Sequence, residues 1–333
     1  MKAVLLSEPG SFSIERLDDP APAPDGIVVA PDGCGICGTD VHIIDGEFEG
    51  TRYPIVPGHE FSGEIVAVGR EVSDLRVGDV VAVEPSLFCG HCHYCRIGRG
   101  NLCTNYNSIG VGRENGGCAE LVAVPATQAF VLHEGFRRDW GALIEPVSCA
   151  IHGFDQLSLR IADHVLIYGA GTMGLMLCQL AAHHAAGSVS VVDVNADRLP
   201  RARALGADHV ATSADELDRP EGWEVVIDAT GAVPAIQDGL RRVRRAGTFL
   251  MFGVAPKDAT ATFSPFRVYH DEISIIGSMA ILHSFERARE VVAAGIIDGD
   301  TLITHRMGLD DYEDAIAAFR AGEGLKIQIT PSA

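Results

Sequence analysis

The stretch Val165-Leu166-Ile167-Tyr168-Gly169-Ala170-Gly171-Thr172-Met173-Gly174 decides the fold class of this chain. Residues 165–168 read as a buried strand, the glycines break it, and a helical pattern over 175–184 follows. A GxGxxG run alone is weak evidence. Glycines that open a helix directly after a strand say more, because a pyrophosphate can then approach the backbone and rest on the helix N-terminal N–H groups. Gly169, Gly171, Thr172, Met173 and Gly174 are therefore candidate cofactor contacts. Asp193 ends the next apolar run, where a carboxylate accepts hydrogen bonds from the adenosine ribose hydroxyls and repels the extra phosphate of NADP. This favours NAD over NADP, with Arg198 placed to blur the preference.

Outward from this point, apolar runs at 165–168, 189–192, 225–227, 248–252 and 273–276 alternate with helical stretches, which implies a doubly wound parallel sheet. Upstream, residues 58–83 carry a different rhythm: strands at 64–68 and 77–83, with glycine turns between them, read as all-β. Downstream, 286–294 and 310–321 read as amphipathic helices and 325–329 as a last strand. At 333 residues the chain exceeds one ordinary core. The expected organisation is α/β in two domains: a β-rich domain over 1–147, a Rossmann-type nucleotide domain over 148–282, and a tail over 283–333 whose strand returns to the first domain.

Hydrophobic residues make up 47% and charged residues 21% of the chain, a balance that supports a packed core. The net charge of -19 opposes nucleic acid and anionic membranes, so neither is an expected partner. Arg241, Arg242, Arg244 and Arg245 form the one basic run and read as a solvated helix face. No apolar run approaches the ~18 residues of a membrane span, and the first ten residues are too weakly apolar for an export signal. A cytoplasmic protein is expected, whose nine cysteines serve as metal ligands or buried thiols rather than disulfides.

Cys89-x2-Cys92-x2-Cys95-x7-Cys103 gathers four thiols in one short segment, enough for a closed tetrahedral site around Zn(II). An iron–sulfur cluster is the rival, but Cys103 is followed by Thr104 where the ferredoxin spacing continues to proline. A closed shell leaves no position for substrate, so this zinc is structural. His91 and His93 read as surface residues.

Gly35-Ile36-Cys37-Gly38-Thr39-Asp40-Val41-His42 and Gly58-His59-Glu60 supply a soft thiolate, an imidazole and carboxylates suited to zinc, although sequence separation says nothing of distance. With Gly141-Ala142-Leu143-Ile144-Glu145-Pro146, the cysteine lobe and the dinucleotide loop in that order, they resemble the zinc-containing medium-chain alcohol dehydrogenase superfamily along essentially the whole chain.

The resemblance implies a GroES-like catalytic domain joined to the Rossmann domain, and two zinc ions per chain. Cys37 and His59 would hold the catalytic zinc. Glu145 stands where alcohol dehydrogenases proper have a second cysteine and polyol dehydrogenases a glutamate, and Glu60 could enter the shell; which carboxylate ligates at rest stays open. Thr39 and His42 match the family's proton relay, and Asp40 would fix the His59 tautomer from behind. The implied reaction is hydride transfer from a secondary alcohol to NAD, in a homodimer or homotetramer.

Two branches compete. Residues 142–146 and Glu84-Pro85 resemble polyol (sorbitol-type) dehydrogenases; Gly38 to Ile43 and Asp193-Val194-Asn195 resemble threonine dehydrogenases. Ile43 and Ala280 stand where sorbitol dehydrogenases have a tyrosine and an arginine, and the histidine expected of threonine dehydrogenases is absent from residues 84–88. A polyol, cyclitol or sugar-derived alcohol is the leading substrate class, with L-threonine 3-dehydrogenase-like oxidation as the alternative. A non-catalytic binding relative, or a zinc-free quinone reductase, predicts lost metal residues that are all present here.

Overall fold

In the computed structural model, which describes residues 1–331, Val165 to Tyr168 belong to the strand His164–Tyr168 inside a six-stranded parallel sheet. The strand order is His209–Ala211, Ser188–Val192, His164–Tyr168, Trp223–Asp228, Val243–Met251 and Ser274–Gly277. In chain sequence this is 3-2-1-4-5-6, the doubly wound order. Helices such as Thr172–His183 and Val233–Arg242 cover the sheet. That explains why Val165, Leu166 and Ile167 are all fully buried and why the strand reads as an unbroken apolar run. This sheet belongs to the compact unit Cys149–Ala280 with Ile296–Asp298.

The other unit takes Met1–Ser148, Ile281–Gly295 and the chain from Gly299 on. Its main sheet runs Ile303–Met307, Lys326–Ile329, Gly26–Gly35, Glu60–Val68, Val80–Val83, Ala129–Val131, and Val122–Pro125 also pairs with Gly26–Gly35. The last strand enters antiparallel to the third, with Gln328 opposite Gly35 and Ile329 opposite Cys34. Chain end and chain start therefore share one core, in which Val4, Ile27, Phe61, Ile65, Tyr312 and Ile327 are buried together. No helix among the described residues is long and apolar enough to cross a membrane.

One element differs from its sequence reading. The arginine run does not lie on a helix face: Arg241 and Arg242 end the Val233–Arg242 helix, whereas Arg244 and Arg245 fall at the start of the Val243–Met251 strand. Pairing jumps there from Trp223–Val243 to Val225–Thr248, so the intervening residues bulge out, with Ala246 at φ 58. Their charges are spent locally, on Asp215 and Asp238 for Arg242, Glu224 for Arg244 and Asp271 for Arg245.

Glu84 follows the Val80–Val83 strand and lines a cavity of about 470 Å³ with Ser86, Leu87, Phe88, Gln128 and His283. Burial pushes its carboxyl from 4.5 up to about 7. The folded state therefore keeps a proton that the unfolded chain releases between those values, and stability falls as pH rises through that window. The penalty above pH 7 is at most about 3 kcal/mol. Glu84→Gln removes it, so the melting temperature of the variant relative to wild type is expected to rise between pH 5 and pH 8. A difference that stays constant with pH would refute this assignment.

Candidate metal and cofactor sites

The cysteine lobe is built from local backbone. Cys92 precedes the one-turn helix His93–Arg96, Cys95 lies within it, and Cys103 closes the following 3-10 turn. The four thiols converge: Cys92 Sγ is 3.5 Å from Cys95 Sγ and 3.9 Å from Cys103 Sγ. A tetrahedron with Zn–S bonds near 2.3 Å has edges of ~3.8 Å, so the spacing fits the ion without rearrangement. Backbone N–H groups of Cys92, Cys89 and Asn105 donate to the sulfurs of Cys89 and Cys103. Those of Cys95 and Thr104 bring the Cys92 thiol down to about 5, whereas burial and the neighbouring thiols push Cys95 up to about 12. Negative charge is thus favoured on the loop but crowded, a conflict that a dication relieves. His91 and His93 are exposed at the rim.

The second cluster brings together residues from two strand ends. Cys37 follows the Gly26–Gly35 strand and caps the short helix Gly38–Ile44, its sulfur accepting from Thr39 N while Asp40 accepts from Cys37 N at 2.9 Å. His59 and Glu60 stand at the head of the neighbouring Glu60–Val68 strand, which pairs Glu60 with Gly35. Their ligand atoms and Cys37 Sγ all lie within 4.8 Å of one another. His59 Nδ1 and Asp40 Oδ1 are buried without hydrogen-bond partners and 3.7 Å apart. A His59 that presents its other nitrogen to a metal turns Nδ1–H toward this carboxylate, so the orphaned pair fits a zinc ligand held from behind. Burial opposes charge on His59, yet Asp40 and Cys37 hold its pKa well above the ordinary value.

Other candidates are placed less uniformly. Thr39 Oγ1 lies 3.5 Å from Cys37 Sγ, and His42, half exposed, pairs with Glu47 at 2.8 Å. Glu145 is 8% exposed in the first turn of the Ile144–Asp155 helix but is not one of the 4.8 Å cluster. Cys34 Sγ meets Cys118 Sγ at 3.8 Å, both buried. Ile43 is fully buried in the core. One residue the sequence reading missed is Lys326. Its Nζ, buried on the last strand, reaches Glu60 Oε2 at 2.5 Å, Glu60 Oε1 at 2.8 Å and Ile36 O at 3.2 Å. Its only signal was a lysine alternating with the apolar residues Leu325, Ile327 and Ile329 of the last strand.

In the other unit, the glycines divide their work. A Cβ on Gly174 would meet Gly169 O at 1.8 Å, so helix and loop pack too closely for any side chain. Gly171 has an ordinary φ of -79 and open space where its Cβ would be. Neither packing nor backbone explains a glycine there; a group docking on the loop does, which is what a pyrophosphate requires. Gly171→Ala is expected to leave the melting temperature nearly unchanged and to weaken the nicotinamide cofactor, measured by fluorescence titration. Unchanged affinity, or stability lost in step, would argue against the assignment. Asp193 ties the loop to the next strand: its carboxylate accepts from Ala170 N at 2.7 Å and Asn195 N at 2.8 Å, with Arg198 3.9 Å away.

Residues 23–134 match the alcohol dehydrogenase GroES-like domain and residues 172–294 the zinc-binding dehydrogenase model. The chain is 34% identical over 343 residues to D-arabinitol dehydrogenase 1 of Uromyces fabae, covering 100% of this chain and 97% of the relative. It is 33% identical over 304 residues to L-threonine 3-dehydrogenase of Escherichia coli K12, covering 88% of each. A zinc-binding dehydrogenase from Sinorhizobium meliloti, solved bound to NADP, superposes with a TM-score of 0.95 at 33% identity over 99% of both chains.

Proposed function

The chain belongs to the zinc-containing medium-chain alcohol dehydrogenase superfamily, and from that premise we propose that it transfers hydride reversibly from a secondary alcohol of a polyol, cyclitol or sugar-derived compound to NAD. The convergence of Cys37, His59 and Glu60 within 4.8 Å carries the reading. Zinc held there supplies Lewis acidity that makes an alcohol proton easier to lose, and the nicotinamide supplies the hydride acceptor.

The chain's own residues do the rest. Cys37 and His59 hold the metal, with Asp40 orienting the imidazole, while Glu60 and Glu145 contribute carboxylate near it. Thr39 and His42 are three apart on one helix and so share a face; Thr39 lies beside the Cys37 sulfur and His42 stands half in solvent, an order suited to carrying the alcohol proton outward. Cys89, Cys92, Cys95 and Cys103 hold a second, structural zinc. Gly171 and its neighbours seat the pyrophosphate. Asp193 favours NAD because each oxygen keeps a lone pair for the ribose and its charge repels a phosphate; Arg198 is the cation an NADP phosphate would need.

The experiment is a panel of pentitols, hexitols, cyclitols, sugars and L-threonine, each with NAD and with NADP, followed by nicotinamide absorbance. Preference for a polyhydroxylated alcohol with NAD is expected. Preference for L-threonine moves the assignment to the amino-alcohol branch, and turnover with no alcohol removes it.

A further inference from the structure

The cluster of Cys37, His59 and Glu60 has a cation built against it. Lys326 Nζ donates to both Glu60 oxygens, at 2.5 and 2.8 Å, and to Ile36 O at 3.2 Å. An ammonium has three N–H groups, and all three are in use here. Both side chains are buried, and Ile36 is the residue directly before Cys37. A glycine makes room for the pair: a Cβ on Gly35 would meet Glu60 Oε2 at 2.1 Å and Lys326 Cδ at 3.2 Å. Gly35 lies opposite Glu60 in the sheet and has no left-handed backbone, so the seat of this carboxylate is what calls for a glycine there.

The pair bears on whether Glu60 ligates the metal at rest. Glu60 lies close enough to enter the shell, within 4.8 Å of the other two ligand atoms. Yet both its oxygens are turned to one ammonium, which is buried and tied by its third N–H to the backbone. Zinc bound to Glu60 would draw off the charge that offsets Lys326. It would also set a dication beside a cation shut away from water. Burial already works against charge on Lys326, and Glu60 with Cys37 outweighs it.

We propose that Lys326 is a positioning residue of the metal site: it clamps both oxygens of Glu60 and keeps that carboxylate out of the zinc shell at rest, as a ligand in reserve. The inference rests on the zinc dehydrogenase reading. Cys37 and His59 then hold the resting metal with a donor other than Glu60, and Glu60 joins them only when it leaves the ammonium.

The test is the visible spectrum of full-length protein carrying cobalt(II) at the reactive site and zinc in the cysteine lobe. The d–d bands of cobalt weaken as it passes from four ligands to five. Lys326→Met is expected to lose d–d intensity as Glu60 enters the shell, and Lys326→Met combined with Glu60→Gln to recover it. Lys326→Arg, which keeps the cation, and Glu60→Gln alone should both match wild type. A lysine that only supports the fold would change melting and leave these bands in place. Changed bands in Glu60→Gln alone, or unchanged bands in Lys326→Met, overturn the proposal. If Lys326→Met does not fold, Lys326→Gln keeps a donor for Glu60 without the charge, and the same loss of intensity is required of it. Wild-type protein showing no cobalt–thiolate charge-transfer band overturns the dehydrogenase reading as well, whereas bound cobalt whose bands ignore Lys326 overturns this inference alone.

Discussion

Cys37→Ser is expected to lower turnover by roughly a thousandfold or more while the fold survives. Cys37 has two tasks that this change separates. Its sulfur caps the Gly38–Ile44 helix by accepting from Thr39 N, and it stands in the cluster with His59 and Glu60. Serine is a good helix cap, so the helix and the Asp40 contact to the backbone of residue 37 are retained. A hydroxyl at neutral pH is a poor zinc ligand, so the ion and its several kcal/mol of charge stabilisation are lost. Zinc content should fall from two per chain toward one, with thermal unfolding within a few degrees of wild type. Near-normal turnover by the variant would remove Cys37 from the reaction.

Lys326→Met is expected to cost about 3–5 kcal/mol of stability, the range for stranding one partner of a buried pair. Lys326 and Glu60 have side chains 4% and 2% exposed, and no other cation pairs with Glu60 among the described residues. Burial works against charge on the lysine, but Glu60 and Cys37 more than offset it and keep it cationic. Methionine matches the stem in length and leaves the carboxylate buried without its counter-ion. Lys326→Arg retains the charge and should lose less. Urea unfolding measures this, and a loss under about 1 kcal/mol would show that Glu60 is held by other means.

What could be read from sequence follows how local each feature is. The dinucleotide loop is strand, turn and helix in consecutive residues, and the four cysteines lie within one segment, so both were legible from local sequence. The Cys37, His59 and Glu60 cluster needed either a family resemblance or coordinates, because it depends on Gly35 pairing with Glu60 across two strands. Lys326 was hidden for the same reason: its meaning comes from the last strand lying against the third. The arginine run misled because a bulge between Val243 and Thr248 breaks the periodicity that a helix face assumes.

Activity measured across zinc removal and return tests whether the hydride transfer depends on the metal. Protein stripped of its more labile zinc by a chelator, with the cysteine-lobe zinc retained, should lose reduction of NAD by a polyol and regain it when one equivalent of zinc per chain is restored. Turnover that persists without that zinc would contradict a metal-dependent hydride transfer.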